Sequence, residues 1–417
     1  MLASILLLGL GLVAAIGCVN ALRPAQGLWL VISSWAAAWV TIELAPHLIA
    51  LSGLIAALLI VLGALEHAVG VAGLVLLVVA DAIGLAFTWW AWRSVTSARD
   101  AIAELDPEPE PPRFPRHQIV FPFLLRRRRG VRHERGVVYA RSGELPLKLD
   151  VYRPEAETDE PRPAVVQLHG GAWVTGSRKH QGIPLLNHLA ANGWVGFNVN
   201  YRLSPYATWP DHAIDVKRAI AWIREHAAEY DVDPSFVAIT GGSAGGHICA
   251  FVALTAGDAE LQPGFEDADT SVAAAVPFYG VYDMEDADSI QVPALHWLLQ
   301  RYVFKAWRSE SPELFRAASP VHRVHADAPP FLVIHSDRDS LVPVEDAHKF
   351  VHALREASRN PVLYAEMRGG QHAFDVIPSL RSAPVIETIE RFLHTVRSRG
   401  DSLTEDAERE VEAAIAD

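Results

Sequence analysis

The sequence predicts an α/β fold, a mostly parallel sheet with helices on both faces, preceded by an N-terminal transmembrane helical bundle. Three features support this prediction. The first 92 residues are almost all apolar, whereas the remainder has the composition of an ordinary globular domain. From residue 136 onward, short β-branched strands alternate with amphipathic helical stretches, which is the pattern of a parallel sheet. Within that part, a Gly-x-Ser-x-Gly turn lies between a strand-like run and a helix-like run.

The N-terminal region, residues 1–95, is predicted to form about four membrane-spanning helices. Its apolar runs have nearly the length that crosses a bilayer, and they cover residues 2–19, 28–45, 48–65 and 69–92. Trp89, Trp90 and Trp92 end the last run, where an interfacial aromatic belt is expected. A cleaved signal peptide before a buried helical domain is the alternative. The first residues lack the basic start that such peptides have.

Two carboxyl groups, Glu43 and Asp81, fall within these apolar runs. Ionisable groups at membrane depth are costly and face a bundle interior or a cavity. They could form a proton or ligand site, or they could hold helices together with His47 or His67 nearby. We favour the second interpretation.

Residues 96–135 are predicted to be a linker that is acidic and Pro-rich at first and Arg-rich afterwards. The arginines are Arg113, Arg116, Arg126, Arg127, Arg128, Arg129, Arg132 and Arg135. Such a cluster beside a membrane span attracts anionic lipid headgroups and favours the cytoplasmic side for the domain that follows. Arg23 argues against that side if there are four spans. At the other end, residues 401–417 form an acidic tail that could be a short charged helix.

Residues 136–400 are predicted to be the sheet-containing domain, with one segment that breaks the alternation of strands and helices. Residues 284–316 are too apolar for a plain loop. We interpret them as a lid-like helical insertion over the upper edge of the sheet, and a core helix is an equal alternative. Trp297 and Trp307 are predicted to be walls of a substrate pocket.

Ser243 is the candidate nucleophile. The strand-like run 236–240 precedes its Gly-x-Ser-x-Gly motif, and a helix-like run covers 247–254. In this setting the sharp turn exposes the hydroxyl above the sheet edge, and small neighbours keep Cβ atoms away. Glycine-rich turns after strands also bind phosphates, so the motif needs support from other stretches.

A serine hydroxyl needs a base, a group that orients the base, and donors for the oxyanion that forms. The donors are predicted at the end of a buried strand, where the chain reads His169-Gly170-Gly171. Gly170 and Gly171 would supply backbone N–H groups, together with Ala244 just after the nucleophile.

The acid and the base are predicted in two later loops. Asp337 and Asp339 follow the strand-like run 331–334, and we choose Asp339 because it lies further past the strand. Asp337 would instead hold the turn. His372 lies in a glycine-rich loop before the final helix, and histidine suits general base and then general acid work. The rival histidines are His247, His325 and His335.

Residues 136–397 resemble the α/β-hydrolase carboxylesterases of the hormone-sensitive-lipase-like and feruloyl-esterase-like group. The matching stretches are His169-Gly170-Gly171-Ala172-Trp173, Asn200-Tyr201-Arg202-Leu203-Ser204-Pro205, Gly241-Gly242-Ser243-Ala244-Gly245-Gly246, Asp337-Arg338-Asp339-Ser340-Leu341-Val342-Pro343 and Gly370-Gln371-His372. Ala172 replaces a glycine and Gly242 an aspartate that many members have. The resemblance implies hydrolysis of short to medium acyl esters without a cofactor. Trp173 and Tyr201, within two of these stretches, are predicted to line the substrate pocket.

Composition narrows the choice of partners. The net charge of −13 argues against nucleic acid as a partner. The two cysteines, Cys18 and Cys249, make neither a disulfide framework nor a zinc cluster.

We predict a membrane-anchored serine esterase for small-molecule or lipid esters, with the bilayer as a partner and neither metal nor cofactor. An acyltransferase or amidase with the same triad, a non-catalytic ligand-binding protein, and a transporter or sensor centred on Asp81 are the alternatives.

Overall fold

The computed structural model describes residues 1–103, 105, 113–123, 128–158 and 160–416, with side chains described up to residue 400. One sheet of eight strands forms its centre. The strands are β1 Val131–Ser142, β2 Leu145–Pro154, β3 Arg162–Leu168, β4 Val195–Val199, β5 Val232–Gly242, β6 Ala274–Phe278, β7 Phe331–Ser336 and β8 Val362–Met367. Their order in the sheet is β1-β2-β4-β3-β5-β6-β7-β8.

The sheet is antiparallel at one edge and parallel elsewhere. β1 pairs with β2, and β2 with β4, in antiparallel register, whereas all later neighbours are parallel. The parallel strands therefore end at one common edge, and the loops after β3, β5, β7 and β8 meet there. This arrangement confirms the predicted fold class.

The helices cover both faces of the sheet and form the N-terminal region. They are α1 Leu2–Leu22, α2 Val31–Glu43, α3 Ala45–Val61, α4 Ala68–Ile102, α5 Arg116–Val120, α6 Ile183–Ala191, α7 Asp211–Glu225, α8 Ala244–Ala253, α9 Pro293–Leu298, α10 Pro312–Ala317, α11 Val344–Ala357 and α12 Ser382–Ala416. Successive strand residues point to opposite faces. Val165 thus packs in the core with α6 and α12, and Val166 packs with α7, α8 and α11.

The N-terminal region consists of α1 to α4. α1 and α4 are each long and apolar enough to cross a membrane. α2 and α3 are bent by 80° at Leu44, so by length and composition the described part of this region has two helices that could cross a membrane, or three if the bent pair counts as one span. About four crossings were predicted. The difference arises because α2 has 13 residues and α3 has 17, so each is shorter than the helix of about 20 residues that crosses a bilayer.

The boundary between the two parts differs from the predicted linker. α4 continues through Ile102, and Ala98 and Ile102 are buried in the same core cluster as residues of α6 and α12. β1 begins at Val131, so Arg132 and Arg135 belong to the sheet. Most of the acidic stretch, Arg126 and Arg127 lie outside the described residues. In the predicted acidic tail, α12 continues to Ala416, and its side chains there lie outside the described set.

The predicted insertion, residues 284–316, contains α9, a π-helical turn over Leu299–Val303, and most of α10. Leu299, Val303, Phe304 and Phe315 are buried in the same core cluster as α7 and α8. Some apolar side chains of this segment therefore pack in the core, whereas others are exposed on the surface. The sequence pattern does not show which side chains belong to each group.

Candidate active site

The nucleophile elbow is built from close backbone packing between β5 and α8. Ser243 has φ 59° and ψ −121°, which a non-glycine residue adopts rarely. Its N–H donates to the carbonyl oxygen of Phe278 at 3.0 Å. A Cβ on Gly245 would lie 2.5 Å from the carbonyl oxygen of Leu168, so only glycine fits there. The neighbouring strands therefore hold the strained turn in place.

Asp339 and His372, the predicted acid and base, lie in direct contact. His372 Nδ1 lies 2.6 Å from Asp339 Oδ2, and Asp339 Oδ1 accepts the N–H groups of Leu341 and Val342 at 2.8 and 2.9 Å. Both side chains are almost completely buried. Burial raises the pKa of Asp339, but the facing imidazoles of His372 and His335 outweigh it and hold that pKa well below its usual range. The carboxylate therefore stays ionised.

Asp337 has a different hydrogen-bond partner from Asp339. Its Oδ1 accepts the N–H of Gly369 at 2.6 Å, and Gly369 has a φ of +67°. Burial raises the pKa of Asp337. This carboxyl group ties the loop after β7 to the loop that carries His372.

The rival histidines lie elsewhere. His335 is buried behind the acid, with Nε2 3.0 Å from the carbonyl oxygen of Val342 and 3.4 Å from Asp339 Oδ2. His247 lies on α8, with Nε2 2.9 Å from the carbonyl oxygen of Ala318, and burial lowers its pKa to about 3. His325 is exposed on a turn. Among these candidates, His372 is the one whose ring Nδ1 lies against a carboxylate at hydrogen-bond distance.

Tyr279 lies between the elbow and the base. Its ring centroid is 4.6 Å from that of His372. A Cβ on Gly242, next to the nucleophile, would lie 2.7 Å from the Tyr279 hydroxyl oxygen. The hydroxyl donates to Asp375. Sequence reasoning missed Tyr279 because nothing but its position just after β6 marks it.

The predicted oxyanion donors need one correction. The Gly170 N–H already donates to Gln181 Oε1 at 2.6 Å, so it does not face the position of the substrate oxygen. The left-handed conformations that follow, with φ of 121° at Gly171, 52° at Ala172 and 61° at Trp173, turn the chain sharply beside the elbow. Ala244 begins α8, where the first N–H groups have no partner within the helix.

The predicted pocket residues separate into two groups. Trp173 is 1% exposed and contacts His247 edge-on, and the Tyr201 hydroxyl donates to the carbonyl oxygen of His169 at 2.7 Å. These two buried side chains therefore help to hold the loop of residues 169–173 in place. Trp297 and Trp307 are 43% and 53% exposed on the surface of the insertion.

The N-terminal helices contact the loop that carries the base. Trp35 Nε1 on α2 donates to the carbonyl oxygen of His372 at 3.1 Å, and Trp39 Nε1 donates to that of Ala373 at 2.9 Å. Glu43, at the end of α2, accepts from Arg381 Nε at 3.0 Å, and both side chains are buried. The expectation that Glu43 joins membrane helices to one another is wrong because its partner belongs to the sheet-containing domain.

Asp81 remains within the N-terminal helices, where Ser52 donates to its Oδ1 at 3.2 Å. This contact between α3 and α4 agrees with the interpretation that Asp81 holds helices together. His47 Nε2 lies 2.9 Å from the carbonyl oxygen of Ile119.

One group of residues has the spacing of a metal site. Ligand atoms of Asp283, Glu285 and His322 lie within 4.8 Å of one another. Lys349 Nζ is 2.8 Å from Asp283 and Arg316 is 3.2 Å from Glu285. Because these cations already compensate both carboxylates, the group does not support a metal assignment.

Comparisons with known proteins agree with this geometry. The family model BD-FAE matches residues 149–354. The probable carboxylic ester hydrolase LipM of Mycobacterium tuberculosis is 48% identical over 274 residues, 66% of this chain and 63% of that protein. Esterase LipC of the same organism is 45% identical over 278 residues, 66% of this chain and 68% of that protein. The chain belongs to the α/β-hydrolase carboxylesterase family of the hormone-sensitive-lipase-like and feruloyl-esterase-like group.

Solved esterase structures share the family's sheet domain. A truncated carbohydrate esterase from gut microbiota has a TM-score of 0.55 at 27% identity, over 64% of this chain and 96% of that one. Thermogutta terrifontis esterase 2 with bound propionate has a TM-score of 0.54 at 28% identity, over 64% and 95%. About a third of this chain therefore has no counterpart in those structures. The chain also spans 63% of the length of LipM and 60% of the length of esterase LipQ, another relative from Mycobacterium tuberculosis.

Proposed function

We propose that this protein is a membrane-anchored serine carboxylesterase for short to medium acyl esters, including lipidic ones. The observation that carries the proposal is a strained serine elbow, with φ 59°, at the sheet edge that also holds the 2.6 Å Asp339–His372 contact. The esterase relatives support the reaction class.

In the proposed mechanism, Ser243 attacks the ester carbonyl carbon while His372 Nε2 takes the hydroxyl proton. Asp339 fixes the tautomer through the Nδ1–H donor and stabilises the imidazolium. The N–H groups of Gly171 and Ala244 donate to the oxyanion, whose negative charge exists only after attack. The carbonyl re-forms, and the alcohol leaves with the proton from His372. Water then attacks the acyl-enzyme by the same route and releases the acid.

The decisive experiment combines covalent labelling with kinetics on the full chain in detergent. A fluorophosphonate probe should add to one serine, and peptide mass analysis should locate it at Ser243. Ser243→Ala should lose labelling and at least about 10⁴-fold in kcat on a chromogenic short-chain ester. Ser235→Ala, at an exposed position in β5, is the matched control. Equal turnover by the Ser243 variant and the control would refute the proposal.

The proposed localisation is an integral membrane protein whose esterase domain faces the cytoplasm. The apolar α1 and α4 support the anchor, and the basic residues between α4 and β1 support the side. Cysteine labelling tests it because Cys18 and Cys249 are both buried. In intact cells, an impermeant maleimide should label Glu66→Cys, between α3 and α4, and should not label Tyr206→Cys, at a 98% exposed position in the esterase domain. The reverse pattern would place the esterase domain outside.

A further inference from the structure

The loop that carries the base, residues 369–373, is covered by α2. Trp35 and Trp39 are four residues apart, so they lie on one face of the helix. Their indole N–H groups donate to two successive carbonyl oxygens, those of His372 and Ala373. The Trp35 ring also meets the His372 ring edge-on, with centroids 6.4 Å apart. Because His372 is only 4% exposed, α2 forms part of what encloses it.

α4 contacts the same loop from a second direction. A Cβ on Gly369 would lie 2.6 Å from Trp90, so the glycine allows the indole to pack against the backbone. Arg338, between the two aspartates of the acid loop, lies over the Trp90 ring at 4.9 Å. Half of the 12 tryptophans fall in the N-terminal region, at positions 29, 35, 39, 89, 90 and 92. Tryptophan is enriched at membrane–water interfaces, so the tryptophans of α2 and α4 beside this loop favour a position near the membrane surface.

The bend between α2 and α3 indicates how α2 is oriented relative to the membrane. The two helices are inclined by 80° at Leu44. If α3 crosses the bilayer as α1 and α4 do, α2 must lie close to the membrane plane. Ile32, 61% exposed, and Val40, 39% exposed, are large apolar side chains that α2 leaves uncovered.

We propose that α2 lies along the membrane surface between the bilayer and the esterase domain, where Trp35 and Trp39 position the His372 loop and ester substrates reach Ser243 from the bilayer beside α2. This proposal rests on the proposed esterase function. Trp35 and Trp39 are positioning residues, since their contacts with the base loop are to backbone oxygens and to the edge of a ring. The substrate class that follows is a membrane-resident ester with a long acyl or alcohol chain.

The first test removes the two indole N–H groups in the full chain in nanodiscs. The variant is Trp35→Phe/Trp39→Phe, and the matched control is Trp29→Phe, whose side chain is 88% exposed just before α2. kcat is measured per site titrated with a fluorophosphonate, so that misfolded protein is not counted. A soluble short ester and a long-chain ester dissolved in the bilayer serve as substrates. The loss of these two neutral hydrogen bonds should lower kcat about three- to tenfold on both esters.

The outcomes separate the two proposals. A lower kcat per titrated site in the double variant, with KM for the short ester unchanged and the Trp29 variant normal, supports the positioning of the base. Equal kcat in the double variant and the control overturns it while leaving the esterase function intact. If Ser243→Ala also retains wild-type turnover, the esterase function itself fails. Trp35→Ala, which removes the ring as well, should additionally raise KM for the long-chain ester more than for the short one.

The second test measures how deeply α2 and α3 lie in the bilayer. Spin labels are attached in nanodiscs to Ile32→Cys on α2 and to Leu54→Cys on α3, at a 72% exposed position. The label at position 54 should be relaxed by oxygen, which concentrates in the lipid. The label at position 32 should respond to both oxygen and a water-soluble nickel chelate, as expected at the interface. Equal depth of the two labels at the bilayer centre would overturn the surface position of α2.

Discussion

The two sides of the candidate active site are held in different ways. The nucleophile side depends on backbone packing without charge, since the Ser243 turn is fixed by Gly245 against the β3 carbonyls and by the Phe278 carbonyl. The acid–base side depends on ionic and polar contacts, from Asp339 to His372 and from Asp337 to Gly369. It also reaches outside the sheet domain, because residues of α2 and α4 contact the same loop.

This difference predicts that the esterase fold alone can place the candidate nucleophile, whereas the candidate base also needs the N-terminal helices. The elbow lies between adjacent central strands, which leave it no room to move. The loop after β8 lies at the edge of the parallel region, where one neighbour is missing. In this protein, α2 and α4 supply contacts on that open side. The following predictions test this division in order of decreasing effect.

The largest effect is expected within the acid–base side itself. Asp339→Asn should lower kcat about 10⁴-fold, because the amide cannot hold the imidazole in the required tautomer or stabilise its positive form. Asp337→Asn should lower kcat far less, since that side chain orders a backbone N–H and does not touch His372. Steady-state kinetics on a short-chain ester compares them. A larger loss in the Asp337 variant would reverse the assignment of the two carboxylates.

The second effect concerns the ion pair between α2 and the esterase domain. Glu43→Leu leaves Arg381 buried without its carboxylate and should destabilise the protein by about 3–5 kcal/mol. Thermal unfolding in detergent should show a clear drop in midpoint, accompanied by a loss of activity. The double variant Glu43→Leu/Arg381→Met should recover most of the midpoint because it removes both charges.

Asp81→Asn is the control for this ion pair, since Asp81 contacts Ser52 within the N-terminal helices. It should leave ester hydrolysis close to wild type. If Asp81→Asn lowered activity as much as Glu43→Leu, the N-terminal bundle would act on the site by a route other than the α2 contact.

The third effect tests the packing of the nucleophile side. Gly245→Ala places a methyl group 2.5 Å from the carbonyl oxygen of Leu168, and such overpacking typically costs about 1–3 kcal/mol. The elbow must also shift, so fluorophosphonate labelling should slow. Gly53→Ala on α3 meets no atom within 4 Å and should behave like wild type. Normal labelling of the Gly245 variant would show that the elbow tolerates more movement than its packing implies.

The smallest effect, near pH 6, is a pH dependence of stability that arises on the nucleophile side. Burial lowers the pKa of His247 to about 3 and that of His169 to about 4, so both imidazoles are neutral in the fold. The unfolded chain binds protons at these groups below about pH 6.5, and the folded chain does not. Stability should therefore fall on acidification from about pH 6.5 toward 3, by about 1.4 kcal/mol per pH unit for each group.

His247→Gln tests this pH dependence because glutamine cannot gain a proton in that range. Thermal midpoints at pH 7, 6 and 5 should decline less steeply in the variant than in the wild type. A parallel decline would assign the acid sensitivity to other groups. Asp339 does not contribute above about pH 4, because its carboxyl group is ionised in both the folded and the unfolded chain there.

Much of the esterase domain could be predicted from the sequence, because local patterns specify it. Alternating strands and helices predicted the parallel sheet, and the glycines around Ser243 predicted the turn. The choice of Asp339 over Asp337 was also made from its place in the loop. Gly170 was assigned wrongly as a donor because the position of Gln181, eleven residues later, depends on how the loop folds back.

The sequence by itself determined the fold class, the apolar N-terminal region and the candidate nucleophile, acid and base, since each is written in residues close together along the chain. The tertiary structure alone decided which elements meet. Trp35 and His372 are 337 residues apart, and Glu43 and Arg381 are 338 apart. No local propensity encodes such contacts, because they form only when separate elements pack their apolar faces together and bring buried polar groups within reach of a partner.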